Sequence, residues 1–177
     1  AVREKEIKNM SAAFEVLAKD ILPQLRRSKF IVDVNVIGLS DDQILAAMRS
    51  GDVANLTVDH MLYGASLAKD TEEQLKFYTM AADKDPKDYR PLNDAAYASL
   101  KLGKADDAIA FLEKAKAIKN DDIVKNNFGF AYLLKGDKAA AAEYFNSMSA
   151  STPESKFGLG VIAIIEGKYD QAVNLLG

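Results

Sequence analysis

Residues 126–148 read NNFGFAYLLKGDKAAAAEYFNSM, a helical pattern on each side of a glycine turn, and this stretch decides the fold. Residues 92–115 (LNDAAYASLKLGKADDAIAFLEKA) and 157–177 (FGLGVIAIIEGKYDQAVNLLG) align with it. The three turn glycines, 33 and 31 residues apart, are Gly103, Gly136 and Gly167. A period in the low thirties with helices on both sides is typical of a stacked helix-turn-helix array. Such units bury their apolar faces only by stacking, so the sequence predicts an extended recognition surface.

Side chains of matching size occupy equivalent positions in these repeats. The small residues of the successive first helices are Ala96, Gly129 and Gly160. Those of the second helices are Ala108, Ala141 and Ala172, and one turn later follow Leu112, Phe145 and Leu176. Small residues at these points let two helix backbones approach closely, and added bulk there would cost about 1–3 kcal/mol.

This pattern resembles the tetratricopeptide (TPR) repeat family. The match includes Gly129, Tyr132, Gly136, Ala141 and Phe145. The third copy keeps Gly160, Gly167, Tyr169, Ala172 and Leu176. The resemblance implies a mainly α, TPR-type solenoid of helix-turn-helix pairs.

Other parts of the chain depart from the family pattern. The first copy has Ala96 in place of the glycine and Ser99 in place of the aromatic residue. Residues 57–86 match a degenerate repeat that keeps mainly Ala81 and Pro86, and no copy has the family's tryptophan. The array is therefore predicted to hold one degenerate and three recognisable repeats.

Helix boundaries follow from the periodicity, the caps and the turn residues. Ser40 with Gln43 and Thr71 with Gln74 are capping-box patterns at helix starts. The predicted pairs are 89–102 with 105–118, 122–135 with 138–148, and 154–166 with 169–176, after helices at 41–50, 57–68 and 71–83.

The beginning of the chain has a different pattern. Apolar residues at three- and four-residue steps predict a long amphipathic helix over 3–22. Residues 29–37, KFIVDVNVI, alternate in polarity and predict one isolated β-strand. A lone strand leaves its backbone unpaired, so we expect it to pair with something outside this sequence or with a second copy.

Residues 3–44 resemble the junction between an OmpA-like, peptidoglycan-associated module and TPR repeats in envelope proteins of Bacteroidetes. The resemblance implies three parts: 1–39 is the remnant of an upstream α/β module, 40–56 a helical connector, and 57–177 the TPR array. It also implies a periplasmic or outer-membrane-associated location. The glycan-contacting segment of such a module has no match here, so no binding residue is transferred.

Composition limits the classes of function. The formal net charge of −3 argues against binding to a nucleic-acid backbone, which requires a basic face. No apolar run approaches the ~18 residues needed to span a bilayer. The chain has no cysteine, which excludes disulfides and thiolate metal sites.

Candidates for catalysis are few. The single histidine, His60, has no second histidine or cysteine to form a metal site with it, and is expected to be a partly exposed helix residue. The acidic pairs at 41–42, 106–107 and 121–122 fall at predicted helix starts, where carboxylates stabilise free N–H groups. We therefore predict no enzyme activity, no cofactor and no metal.

The TPR resemblance implies that the first helix of each pair lines a concave groove. The residues expected there are Arg90, Asn93, Tyr97, Lys101, Asn126, Phe130, Leu134, Phe157, Val161 and Ile165. Aromatic anchors beside arginine and asparagine suit recognition of a peptide or protein partner. The alternative for these side chains is packing between repeats. The alternative function is a structural spacer between peptidoglycan-associated and outer-membrane components.

The last repeat has an unusual apolar pattern. Residues 157–165 of its first helix are apolar almost all round, which is typical of a buried helix. Solenoid ends normally carry a polar cap. The sequence therefore suggests self-association, through this end or through the lone strand.

Overall fold

The structure is a computed structural model that describes residues 38–149 and 151–177. Nine α-helices occur in this part of the chain, and residues Leu39–Gly177 form one compact unit. The helices are α1 Asp41–Ser50, α2 Val58–Leu67, α3 Thr71–Lys84, α4 Tyr89–Lys101, α5 Ala105–Ile118, α6 Asp122–Lys135, α7 Lys138–Asn146, α8 Pro153–Ile165 and α9 Tyr169–Leu176.

The predicted fold class combined a helical repeat array with one isolated β-strand. This fold class is wrong for the described residues, which contain helices and no strand. Every regular element between residues 38 and 177, with residue 150 left aside, is a helix, and the array is all-α. Each backbone ladder there is local to its own helix, so these residues need no strand partner. The helix predicted over 3–22 and the strand predicted over 29–37 lie outside the described residues, and the three-part division of the chain stays a prediction.

Side-chain caps set the starts of α1 and α3. Ser40 and Gln43 form the predicted capping box at α1. The box predicted for Thr71 and Gln74 is wrong, because Asp70 caps α3 and accepts from the Glu73 N–H at 2.7 Å. An aspartate one residue earlier offers a carboxylate to the same free N–H groups, so the helix begins at Thr71 itself.

Glycine turns join the helices of the last three pairs. Gly103, Gly136 and Gly167 have φ of 73°, 87° and 74°, the left-handed region in which a Cβ is unfavourable. Each turn returns the chain antiparallel to the preceding helix. The predicted helix-turn-helix units are thereby confirmed.

Stacking follows the repeat order. Each second helix packs against its own first helix and against the first helix of the next pair, as α5 does with α4 and α6. First helices also contact one another across repeats, α4 with α6 and α6 with α8. The first helices therefore form a continuous row, which is the layer that positions the site.

Phe145 connects the last two pairs. Its side chain on α7 is 2% exposed. A methyl group at Gly129 of α6 would lie 2.5 Å from the Phe145 ring, and one at Gly158 of α8 would lie 2.3 Å from it. The ring is thus wedged between two helix backbones that only glycine allows to come so close.

The last pair is less buried than its sequence indicates. Gly158, Gly160, Ile162 and Ala163 form the buried side of α8. The opposite side is open, with Phe157, Ile164 and Ile165 exposed by 53%, 47% and 56%. The described residues therefore cover only one face of α8, and self-association through this end stays a prediction.

Candidate functional site

A groove of about 670 Å³ runs across the row of first helices α4, α6 and α8. One wall comes from α4, the floor from α6 and the other wall from α8. The lining residues are Tyr97, Leu100, Lys101, Asn126, Asn127, Phe130, Leu133, Leu134, Phe157, Val161 and Ile165.

Eight of the ten predicted groove residues line this one groove, and Arg90 and Asn93 do not. The eight are Tyr97, Lys101, Asn126, Phe130, Leu134, Phe157, Val161 and Ile165. They converge because equivalent positions on parallel first helices repeat along the row. Their role in binding a partner stays a prediction.

Three lining residues were missed in the sequence. Leu100 and Leu133 lie three residues after Tyr97 and Phe130, on the same helix face, so the helical step could have identified them. Asn127 adjoins the predicted Asn126, and no sequence signal separates their roles.

Arg90 belongs to an ion-pair cluster instead of the groove. Its guanidinium lies 2.6 Å from Asp88 and 2.9 Å from Asp59, joining the start of α4 to α2. The hydrogen bonds that the guanidinium donates to Asp88, and then to Asp59, raise its pKa. Asp88 also caps α4, and its pKa is lowered mainly by the hydrogen bond from Arg90.

Asn93 is an inter-repeat contact. Its side chain is buried, and its Oδ1 accepts a 2.9 Å hydrogen bond from Nδ2 of Asn127 on the next first helix. The neighbouring Asp94 is also withdrawn from water, and burial raises the pKa of its carboxyl. The structure thus places Asn93 in the packing between two repeats.

Replacing Asn93 by alanine should destabilise the array by about 1–3 kcal/mol, because the Asn127 amide would stay buried without its acceptor. The double variant Asn93→Ala/Asn127→Ala should recover part of this loss. Urea unfolding followed by circular dichroism measures both. Equal stability of Asn93→Ala and the wild type would contradict the structural role given to this hydrogen bond.

The groove is polar at one wall and apolar at the other. On the α4 wall, the Lys101 ammonium lies 5.9 Å from the centre of the Tyr97 ring. On the α8 wall the lining residues are Phe157, Val161 and Ile165, without a charged group. Lys101 is the charged residue among those that line the groove, and within the described residues it forms no salt bridge.

Phe130 has contacts on both sides of the groove floor. Its ring centre lies 5.1 Å from that of the buried Phe145 and 6.1 Å from that of the exposed Phe157. Tyr97, by contrast, is 55% exposed. Removing Phe130 would therefore perturb the core, whereas removing Tyr97 or Phe157 changes the groove surface.

Chemistry other than recognition has little support in the described residues. His60 caps its own helix, since its Nδ1 accepts from the Thr57 N–H at 3.2 Å. No group of three or more His, Cys, Asp or Glu side chains in this part of the chain could hold a metal ion. None of its helices combines the length and apolar character that crossing a bilayer requires.

The acidic pairs of the sequence lie in first helical turns or at caps. Asp121 caps α6 and accepts from the Val124 N–H at 3.1 Å. Asp122 accepts from the Ser149 N–H at 2.9 Å, which ties the end of α7 to the start of α6 and lowers the pKa of this carboxyl. Both Asp121 and Asp122 therefore have structural roles at the start of α6.

Comparison with known proteins supports the repeat assignment. Residues 89–122, which contain α4 and α5, match the family model of the tetratricopeptide repeat. No curated protein sequence matches the chain. The predicted TPR resemblance is thereby supported, and the array has a TPR-like fold. The resemblance of residues 3–44 to an OmpA-like junction has no counterpart in these findings.

Three solved structures share the fold at low sequence identity. MamA matches with a TM-score of 0.62 and 16% identity over 77% of this chain and 84% of its own. A tetratricopeptide repeat protein from Parabacteroides merdae ATCC 43184 matches with a TM-score of 0.63 and 17% identity over 76% of this chain and 56% of its own. A chain of the APC/C hetero-tetramer Cut9–Hcn1 matches with a TM-score of 0.63 and 17% identity over 77% of this chain and 27% of its own. The chain thus spans about half the length of the second protein and a quarter of the third.

Proposed function

We propose that this chain is a non-enzymatic scaffold that binds a protein partner in the groove over α4, α6 and α8. The observation that carries this proposal is the contiguous exposed apolar surface of the groove. Tyr97, Leu134, Phe157 and Ile165 are exposed by 55%, 48%, 53% and 56%. Contiguous apolar surface with a polar rim marks interaction sites, because leaving it in water is unfavourable.

The fold gives the proposal further support. TPR-type arrays expose an extended surface to partners, and a concave row of helices is suited to holding a peptide or a helix. The Cut9–Hcn1 structure is a hetero-tetramer, so this fold occurs there in a protein–protein assembly. The low identity transfers the fold alone, and the partner of this chain is a separate question.

Photo-crosslinking of the full chain in its own cells tests the groove. A photoreactive phenylalanine at Tyr97 or Phe157 should give one discrete protein adduct. The same group at Tyr169, which is 67% exposed on α9 and does not line the groove, is the matched control. Adducts of equal yield at all three positions would contradict a specific groove.

Truncation of the same side chains gives the affinity test. Once the adduct identifies the partner, Tyr97→Ala and Phe157→Ala should each weaken its binding about tenfold or more, as central aromatic anchors do. Tyr169→Ala should bind like the wild type. Isothermal titration gives the dissociation constants, and circular dichroism checks that helicity is unchanged. Unchanged affinity in both groove variants would favour the spacer alternative.

The proposed location is the periplasm or the periplasmic face of the outer membrane. This part of the proposal is supported by the resemblance of residues 3–44 to an envelope-protein junction. Fractionation of cells that express the full gene should recover the protein with envelope material. Recovery in the cytosolic fraction would overturn the location and leave the groove proposal intact.

A further inference from the structure

We infer that the partner segment that occupies the groove is an amphipathic α-helix with an apolar stripe facing α6 and α8 and an acidic side chain facing α4. This inference rests on the proposed function and specifies the ligand of the same groove. It depends on three properties of the groove: its supply of hydrogen-bonding groups, its charge and its width.

The hydrogen-bonding groups of the groove are too few for an extended peptide. The walls are helices, whose backbone groups are already paired within each helix. Of the polar side chains, Asn127 donates to Asn93, and the Asn126 Oδ1 is buried without a partner among the described residues. The groups left to meet a ligand are the Tyr97 hydroxyl, the Lys101 ammonium, the Asn126 amide nitrogen and the Asn127 Oδ1, too few to pair the backbone of an extended segment.

An extended segment would bring an unpaired N–H and C=O with each residue into this apolar space. Buried backbone groups of that kind are costly, and native structures almost always pair them. A helix satisfies its own backbone and offers only side chains to the groove. The apolar lining therefore favours a helical occupant.

The charge of the groove determines which charged side chain the occupant carries at the α4 wall. Lys101 brings a positive charge to the α4 wall, and no ion pair within residues 38–149 and 151–177 neutralises it. Its neighbour Tyr97 adds a hydroxyl donor on the same wall. An acidic side chain placed there would gain a charge-assisted hydrogen bond, whereas a basic one would be repelled.

The width of the groove sets the length of the stripe. Neighbouring packed helices lie about 8–10 Å apart, so the distance from α4 to α8 across α6 is roughly 20 Å. A helix rises 1.5 Å per residue, so about 13 residues cross the groove. Apolar anchors at i, i+4, i+7 and i+11 of the partner would follow one face over that length.

Designed peptides test the inference on the full chain. The probe is a fluorescein-labelled helix of about 18 residues with leucines at those four positions and glutamates in its first turn or, in a second peptide, in its last turn. Matched peptides replace the glutamates by lysines, and a further pair interrupts the helix with two central prolines. Fluorescence anisotropy gives each dissociation constant.

Charge reversal on the protein supplies the decisive comparison. One of the glutamate helices should bind the wild type about fivefold more tightly than its lysine counterpart, an effect that decreases at high salt. In Lys101→Glu this preference should be reversed. The control is Lys114→Glu, because Lys114 also lies 5.9 Å from an aromatic ring, that of Phe111, but does not line the groove.

The outcomes separate this inference from the proposed function. Equal binding of the proline-interrupted and helical peptides would overturn the helical occupant. A glutamate preference that survives Lys101→Glu would overturn the acidic contact. Either failure combined with groove adducts at Tyr97 and Phe157 leaves the scaffold standing. A stable dimer in sedimentation experiments that Tyr97→Ala dissociates would identify a second copy as the occupant and overturn the inference.

Discussion

Replacing Phe145 by alanine is expected to lower the free energy of unfolding by about 3–5 kcal/mol, the usual effect of removing a buried aromatic side chain. The ring is 2% exposed and contacts the backbones of two first helices at Gly129 and Gly158. Neither glycine has a side chain that could fill the cavity. The site therefore cannot collapse around the smaller residue, and the full cost of the cavity should appear.

The lost stability should appear first in the last helix pair, α8 and α9. Phe145 lies between α6 and α8, so its removal weakens the interface that holds α8 and α9 on the array. In repeat proteins, stability is approximately a sum of repeat and interface contributions. Hydrogen exchange should therefore show faster opening of α8 and α9 while α2 to α5 stay protected.

Leu176→Ala is the matched control. Leu176 occupies the equivalent place on α9, but it is 45% exposed, and its truncation should cost much less. Urea unfolding and hydrogen exchange on both variants make the comparison. If Phe145→Ala and Leu176→Ala destabilise the protein equally, the interface role given to Phe145 is wrong.

The second large effect is expected from Gly129→Ala. Overpacking should destabilise the protein by about 1–3 kcal/mol. This cost exceeds the ~0.5–1 kcal/mol by which alanine stabilises a helix relative to glycine. The new Cβ would lie 2.5 Å from the Phe145 ring. The ring cannot move away, because the α8 backbone lies against its other side. At Gly158 on that helix, an added Cβ would be only 2.3 Å from the ring.

The chain contains its own compensating pair. In the preceding repeat the equivalent positions are Ala96 and Leu112, both fully buried in one core cluster. Combining Gly129→Ala with Phe145→Leu reproduces that pair, and the loss should be smaller than the sum of the two single changes. A double-mutant cycle measures this coupling, and additive losses would contradict it.

Gly160→Ala is the control for the glycine change. Its Cβ would lie 2.6 Å from Leu176, a side chain that is half exposed and free to rotate away. The free energy of unfolding of this variant should lie within about 0.5 kcal/mol of that of the wild type. A loss as large as that of Gly129→Ala would show that helix packing at this position, and not the aromatic ring, limits side-chain size.

The groove shows how far repeat spacing predicts a site. Tyr97, Phe130 and Val161 recur at 33 and 31 residues, and the structure brings all three into one groove. The same spacing relates Asn93 to Asn126, yet Asn93 is buried against Asn127 and Asn126 lines the groove. Spacing identifies the helix face, but the neighbouring repeat decides whether a side chain on that face meets water or a partner amide.

Arg90 illustrates the same limit for charged residues. It occupies the groove side of α4 by periodicity, but Asp88 and Asp59 hold its guanidinium at the start of the helix. Asp59 lies 31 residues earlier on α2, and only the folding of the array brings its carboxylate within 2.9 Å of the guanidinium. No local pattern in the sequence indicates this pairing.

The sequence by itself determined the helix pairs and the left-handed glycine turns, because each depends on residues close together in the chain. Its repeat spacing also determined which positions of successive helices are equivalent. The tertiary structure alone decided which of those positions are exposed, that Phe145 closes one interface while Leu176 stays open, and that the polar wall of the groove faces an apolar one. These properties depend on contacts between residues about thirty positions apart, and they arise only when the repeats stack.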